Sequence, residues 1–128
     1  MTTDKLEEFE QLLNQYNQCF YERDIESLRN MYVPDGNVIY FDNHANSDSS
    51  GIEAHLTKVK EFFDNGSIIQ LLSENLAVYQ FGDAACMIVT LRYSNNPQPG
   101  VRASFFLEKH LLQWKIRHIH FSTDPNEL

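Results

Sequence analysis

Cysteine, glycine, proline and basic residues are all scarce in this chain of 128 residues. Its two cysteines, Cys19 and Cys86, cannot build a disulfide framework, and we expect them to be small buried thiols in a reducing, cytoplasmic compartment. The 10 basic residues are outnumbered by 18 acidic ones, which gives a formal net charge of −8. An acidic surface repels phosphate groups, so the composition argues against nucleic acid and anionic membranes as partners.

Long apolar runs are absent as well. No stretch approaches the ~18 apolar residues of a membrane-spanning helix, and the opening MTTDKLEEFEQLL lacks the basic region and apolar run of a signal peptide. There is no Gly-rich phosphate loop and no G-x-S-x-G nucleophile motif. Present instead are 42% apolar residues, with 9 Phe and 6 Tyr, which suffice for the core of a single domain over residues 1–128.

The first 36 residues predict two helices. Apolar residues at steps of three and four predict a helix from Asp4 to about Tyr21. Asp24 is the expected N-cap of a second, short helix. The turn-forming residues 34–36 end it.

A strand and a third helix follow. β-forming residues predict a strand over 37–42, which places Tyr40 and Asp42 on one face. After a polar loop, Ser50 and Glu53 form a capping-box pattern. It predicts a third helix that ends near Asn65.

The remainder of the chain predicts strands, over about 67–80, 84–93, 101–109 and 114–122. Turn residues separate the first pair, and the prolines and glycine of 95–100 are expected to end the ladder between the second pair. Residues 110–113 form a turn without turn-type residues. Consecutive strands with short connections pair antiparallel, so we expect an α+β fold in which three N-terminal helices cover one face of a twisted antiparallel sheet.

Side chains of a strand alternate between faces, so residue parity predicts which of them point inward. In the last strand Lys115 and Arg117 indicate that odd positions face outward. Ile119 and Phe121 would then lie on the outer face as a candidate subunit interface. The even positions would face the concave side: Trp114, Ile116, His118, His120 and Ser122.

The segments GDAACMIVTLRY and QWKIRHIHFS resemble the association (hub) domain of calcium/calmodulin-dependent protein kinase II. The resemblance covers nearly the whole chain. Its matching features are Asp24, Gly51 with His55, Asp83-Ala84-Ala85-Cys86, and the W-x-x-x-H-x-H-x-S pattern of Trp114, His118, His120 and Ser122. The last pattern is shared with the wider SnoaL-like, nuclear-transport-factor-2-like superfamily. The resemblance implies a cone-shaped, cystatin-like fold with an internal pocket, dimerisation, and rings of dimers as a further option.

The hub family lines its pocket with arginines that bind carboxylates. Arg102 is one candidate for such a position here. Arg92 is the other, although it lies one residue out of register with the family's position, which would place it on the opposite face.

Ketosteroid isomerase is a more distant relative of the same fold. Asp42 precedes Gly51 by nine residues, the interval between that enzyme's catalytic base and its helix-opening glycine. With a two-residue insertion assumed, Tyr16 falls at the oxyanion-stabilising tyrosine. The family's second acid would fall at Ser104 or Phe105, and neither is acidic.

Each candidate has a functional and a structural interpretation. Asp42 is either a general base or a carboxylate that caps a turn. Tyr16 is either a donor to a ligand oxygen or part of the core.

The histidines His118 and His120 are satisfied buried groups, ligand contacts, or a metal pair completed by a third ligand such as His44, His55 or Glu108. Trp114 is either core or pocket wall. We expect no metal and no cofactor.

The sequence therefore favours a self-associating domain that binds a small organic ligand through Tyr40, Arg102, Trp114, His118 and His120. The alternative is a cofactor-independent isomerase or cyclase, in which Asp42 moves a proton and Tyr16 holds the substrate oxygen. A structural subunit with a vestigial pocket is a third possibility.

Overall fold

The computed structural model describes residues 3–66 and 69–128, with side chains from Leu6 onward. Residues 67 and 68, with which the first of the four expected strands begins, lie outside this description. The elements in chain order are α1 Thr3–Glu22, α2 Ile25–Arg29, β1 Ile39–Phe41, β2 Ser49–Ser50, α3 Ile52–Asn65, β3 Leu71–Phe81, β4 Ala84–Tyr93, β5 Asn96–His110 and β6 Gln113–Thr123. A single 3₁₀ turn, Pro125–Glu127, follows them.

The strands form one curved sheet in the order β2-β1-β6-β5-β4-β3. All neighbours pair antiparallel except β1 and β6, which run parallel. The core lies between one face of this sheet and the helices, with Phe9 and Leu13 of α1 and Phe105 of β5 near its centre. The expected α+β fold, with three helices on a curved sheet, is confirmed.

The helix starts agree only in part with the expected caps. Asp24 is the N-cap of α2, and its carboxylate accepts from the backbone N–H (3.1 Å) and the hydroxyl (2.7 Å) of Ser27. The capping box of Ser50 and Glu53 is wrong, because Ser50 belongs to β2. The N-cap of α3 is Gly51, whose φ of 93° is a conformation that glycine adopts without steric cost.

The sequence predicts that the prolines of 95–100 end the ladder between β4 and β5, and this prediction is wrong. Pairing runs from Tyr93–Asn96 to Leu91–Val101, so the segment between them bulges out of the ladder and β5 then continues. A bulge accommodates residues that lack a ladder N–H.

The turn at 110–113 is confirmed, and it is made without turn-type residues. His110 pairs with Gln113. Leu111 and Leu112 between them have φ values of 50° and 68° and are exposed. Two left-handed residues in succession match the twist of a two-residue hairpin.

An extra residue, Arg117, interrupts the alternation of β6. Ile116 pairs with Leu107 and His118 pairs with Phe106, so Arg117 has no partner in the ladder. A bulge of one residue exchanges the faces of every residue that follows it.

This bulge overturns the expected orientation of the second half of β6. Ile119 and Phe121 are 0% and 5% exposed and belong to the core, so the expected outer interface at these two residues is wrong. His118 and His120 lie on the outer face instead of the concave side. Trp114, which precedes the bulge, does point inward.

The Arg117 side chain explains why the bulge forms at this point. Its guanidinium donates to both oxygens of Asp35 (2.9 and 3.0 Å) and of Glu108 (2.6 and 2.9 Å). Paired donors of this kind fit carboxylates well. The contacts hold the segment before β1 against the sheet.

Candidate ligand-binding cavity

A cavity of about 350 Å³ lies between α3, the loop after β1, and the neighbouring ends of α1, β3, β4 and β6. Most of its walls are apolar or aromatic, and a minority of the lining residues are polar. The lining residues are Phe20, Tyr40, Asp42, His44, Ser47, His55, Lys58, Val59, Phe62, Ile69, Leu71, Tyr93 and Phe121.

Helix α3 contributes one wall through residues spaced three or four apart. His55, Lys58, Val59 and Phe62 lie along one side of the helix, as its period of 3.6 residues requires. His55 and Val59 are buried, whereas Phe62 is partly exposed at the cavity. The strand β1 contributes Tyr40 to the facing wall.

Asp42 is the main polar group of the cavity, and its side chain is 11% exposed. Its Oδ1 accepts from the Tyr40 hydroxyl at 2.7 Å. Its Oδ2 accepts from the backbone N–H of His44 at 3.1 Å and lies 2.9 Å from His44 Nδ1. A carboxylate offers about four acceptor positions, and among the described residues these contacts use one position of Oδ1 and two of Oδ2.

The loop that carries Asp42 is tied down from two directions. The Lys58 ammonium of α3 donates to the backbone carbonyls of Asn46 (3.4 Å) and Asp48. The Asp48 carboxylate accepts from the backbone N–H of Asp42 at 2.8 Å. These contacts fix the carboxylate of Asp42 relative to α3.

His55 is a buried imidazole, 2% exposed, in the wall of the cavity. Its Nε2 lies 2.8 Å from the Tyr32 hydroxyl, and its ring packs on Tyr40 at 4.5 Å between centroids. Burial lowers the pKa of His55 to about 4, against an opposing effect of Asp42. The imidazole is therefore neutral at pH 7.

Two tyrosines of the cavity respond to the same carboxylate. Burial first, and then the charge of Asp42, raise the pKa of Tyr93 to about 12. The pKa of Tyr40 is raised strongly by burial and by the adjacent Asp42 charge and hydrogen bond. Both hydroxyls therefore stay protonated and can donate.

The candidates from the sequence are divided between the cavity and other parts of the molecule. Tyr40 and Asp42 share a face, as expected, and meet in the cavity. Tyr16 does not line it, because its ring is fully buried against Phe105, 5.1 Å between centroids. Within the described residues the Tyr16 hydroxyl has no hydrogen-bond partner. Burial, and then the nearby Tyr32, raise the pKa of Tyr16.

Trp114 and Arg102 lie away from the cavity. Trp114 packs on Phe9 in the core, 5.2 Å between ring centroids, beside a different groove along α1. Arg102 is exposed on the outer face of the sheet. Arg92, the second arginine candidate from the sequence, donates to Glu127 through two hydrogen bonds of 2.9 Å.

His118 and His120 flank Phe41 on the outer face, with ring centroids 5.2 and 5.4 Å from it. The Nδ1 atom of His118 lies 2.6 Å from the carbonyl oxygen of Ile39. Across residues 3–66 and 69–128, no group of three or more side chains of the metal-binding types comes together.

Sequence reasoning missed several cavity residues, notably His55, Lys58, Tyr93 and Phe121. A signal existed for His55, which precedes Val59 by four residues on the apolar side of the third helix. Phe121 was assigned to the outer face because the bulge in β6 was not foreseen.

The profile of the SnoaL-like domain family matches residues 9–125 of the chain. The chain therefore belongs to this family. No functionally curated protein matches it at a significant level.

Solved structures agree on the fold. An NTF2-like protein of unknown function from Pseudomonas putida is 19% identical, with a TM-score of 0.80 over 100% of this chain and 94% of that one. A proposed calcium/calmodulin-dependent protein kinase type II association domain from Thiobacillus denitrificans is 16% identical, with a TM-score of 0.79 over 90% and 94%. A proposed dehydratase of the NTF2-like family from Streptomyces avermitilis is 19% identical, with a TM-score of 0.81 over 96% and 99%. Identities this low establish the fold alone.

Proposed function

We propose that this chain is a self-associating domain that binds a small organic molecule. The cavity carries the proposal, because its apolar walls can bury a ligand and its few polar groups can orient it. Tyr40 and Asp42 are the contacts that we assign to the ligand. The kinase type II association domain among the similar structures is consistent with a function of this kind.

The outer face of the sheet supports self-association. It exposes apolar side chains from four strands: Ile39, Phe41, Leu72, Tyr79, Ile88 and Phe106. One row of cross-strand neighbours crosses this face: Tyr79, Cys86, Phe106, His118 and Ile39. A sheet face with several exposed large apolar side chains is typical of a subunit interface.

The absolute mass in solution tests self-association, measured by size-exclusion chromatography with light scattering. We expect a dimer or a larger assembly for the unaltered chain and a smaller mass for Phe106→Glu. Tyr21→Glu is the matched control, because Tyr21 on α1 is equally exposed, at 45%, but lies away from the sheet. A monomeric unaltered chain at all concentrations would refute self-association.

A second candidate is a cofactor-independent isomerase or cyclase with Asp42 as the general base. The observation in its favour is a largely buried carboxylate in the wall of a mostly apolar cavity. In this case Asp42→Asn should abolish proton exchange at the α-carbon of an apolar ketone, measured by NMR in deuterated water. The absence of exchange with the unaltered chain across a panel of such ketones would argue against this candidate.

We also propose a reducing, cytoplasmic location. It rests on two thiols, Cys19 and Cys86, that are unpaired. Burial raises the pKa of both, which keeps them in the unreactive thiol form.

A further inference from the structure

We propose that the ligand of this cavity is a small organic cation, of the quaternary or alkylated ammonium class. The inference rests on the proposed ligand-binding function and names the chemical class of the ligand. It is carried by aromatic walls around one carboxylate, whose negative charge attracts a cation that has no N–H to donate.

The walls have the composition that recognises such cations. Five of the lining residues are aromatic: Phe20, Tyr40, Phe62, Tyr93 and Phe121. The faces of aromatic rings attract a cation through their quadrupole, and desolvation strengthens this attraction. The faces of the same rings, which carry the negative side of the quadrupole, repel an anion.

The carboxylate of Asp42 supplies the counter-charge. It lines the cavity with only 11% of its side chain exposed, and the loop contacts hold it in place. Its field reaches the surrounding groups. Asp42 is the strongest charge acting on the pKa of Tyr40, Tyr93 and His55.

The other charged or titratable groups of the cavity do not reverse this field. Lys58 is a cation, but its ammonium is directed to two loop carbonyls, and its effect on His55 is smaller than that of Asp42. His55 is neutral, and His44 is paired with the carboxylate through Nδ1. The net charge of −8 adds a long-range attraction for cations.

A carboxylate ligand is disfavoured by the same arrangement. It would have to enter beside the charge of Asp42. Arg92 does not compensate for this charge, because it is not part of the cavity lining and is paired with Glu127 and Glu74. Arg102 lies on the opposite face of the sheet.

Isosteric ligands test the inference. Phenyltrimethylammonium, its neutral carbon isostere tert-butylbenzene, and benzoate would be titrated against the full chain by ligand-observed NMR at pH 7.5. We expect the cation to bind about tenfold more tightly than the neutral isostere, from the usual strength of cation–π and carboxylate contacts. Asp42→Asn should remove most of this preference while the neutral compound still binds. Asp83→Asn, in the exposed β3–β4 turn, is the matched control and should keep it.

The outcomes separate this inference from the function on which it rests. If tert-butylbenzene or benzoate binds as tightly as phenyltrimethylammonium or more tightly, the inference of a cationic ligand is wrong. The proposed ligand-binding function would then still stand. If none of the three compounds binds to the folded chain, both the inference of a cationic ligand and the ligand-binding part of the proposed function fail. Should Asp42→Asn not fold, the isostere comparison on the unaltered chain still decides. With the unaltered chain, a higher salt concentration should weaken the binding of phenyltrimethylammonium but not that of tert-butylbenzene.

Discussion

Acidification should destabilise this protein through His55. The imidazole is buried and neutral, with a pKa lowered to about 4 in the folded chain. In the unfolded chain a histidine titrates near 6.5. The unfolded state therefore binds the proton first, so the contribution of this group to stability is complete above about pH 6.5 and is lost as the pH falls toward 4.

The expected size of the effect follows from the displacement of the pKa. Lowering the pKa from 6.5 to about 4 corresponds to about 3 kcal/mol between the two ends of the pH range. This is a large part of the stability of a small domain. Carboxylates with lowered pKa values, such as Glu127 at about 2, lose their contribution at lower pH than His55 does.

Urea unfolding followed by circular dichroism from pH 7.5 to 4.5, at constant protein concentration, measures the effect. His55→Gln keeps a polar partner for Tyr32 but cannot be protonated, so its free energy of unfolding should change much less over this range. His120→Gln, at an exposed histidine of β6 that makes no side-chain hydrogen bond to the described residues, is the control and should retain the pH dependence of the unaltered chain. The reasoning fails if His55→Gln retains the full pH dependence.

Two further predictions concern stability. Replacing Leu111 and Leu112 by Asn-Gly should raise the free energy of unfolding by about 1–2 kcal/mol, because Asn and Gly adopt the left-handed conformation of this turn more readily than Leu. An unchanged or lower melting temperature would contradict this. Tyr32→Phe should lower the free energy of unfolding by about 1–3 kcal/mol, because the buried His55 loses its partner at Nε2. Chemical unfolding measures both, and a neutral Tyr32→Phe would show that the contact is replaced by another donor or acceptor.

Patterns that depend on neighbouring residues could be read from the sequence. The three helices follow from apolar spacing, and the N-cap at Asp24 follows from its distance to the first apolar residue of α2. The shared face of Tyr40 and Asp42 also followed from strand alternation, and both residues line the cavity.

Features that depend on distant residues could not be predicted from the sequence. The bulge at Arg117 is held by Asp35 and Glu108, and nothing in β6 itself indicates it. Because one bulge exchanges faces, it moved Phe121 into the cavity and His118 to the outer surface. The exposed apolar side chains of the surface that we propose for self-association come from β1, β3, β4 and β5, so they do not depend on this exchange.

The sequence by itself determined the family, the class of fold and the common face of Tyr40 and Asp42, because these depend on local periodicity and on motifs. Only the tertiary structure decided what surrounds Asp42. Its neighbours Tyr93 and Phe121 come from strand ends that are far from it in the chain, and the neutral state of His55 results from burial against Tyr32 and Tyr40. The charge and the polarity of the cavity are therefore properties of packing, which a linear pattern does not contain.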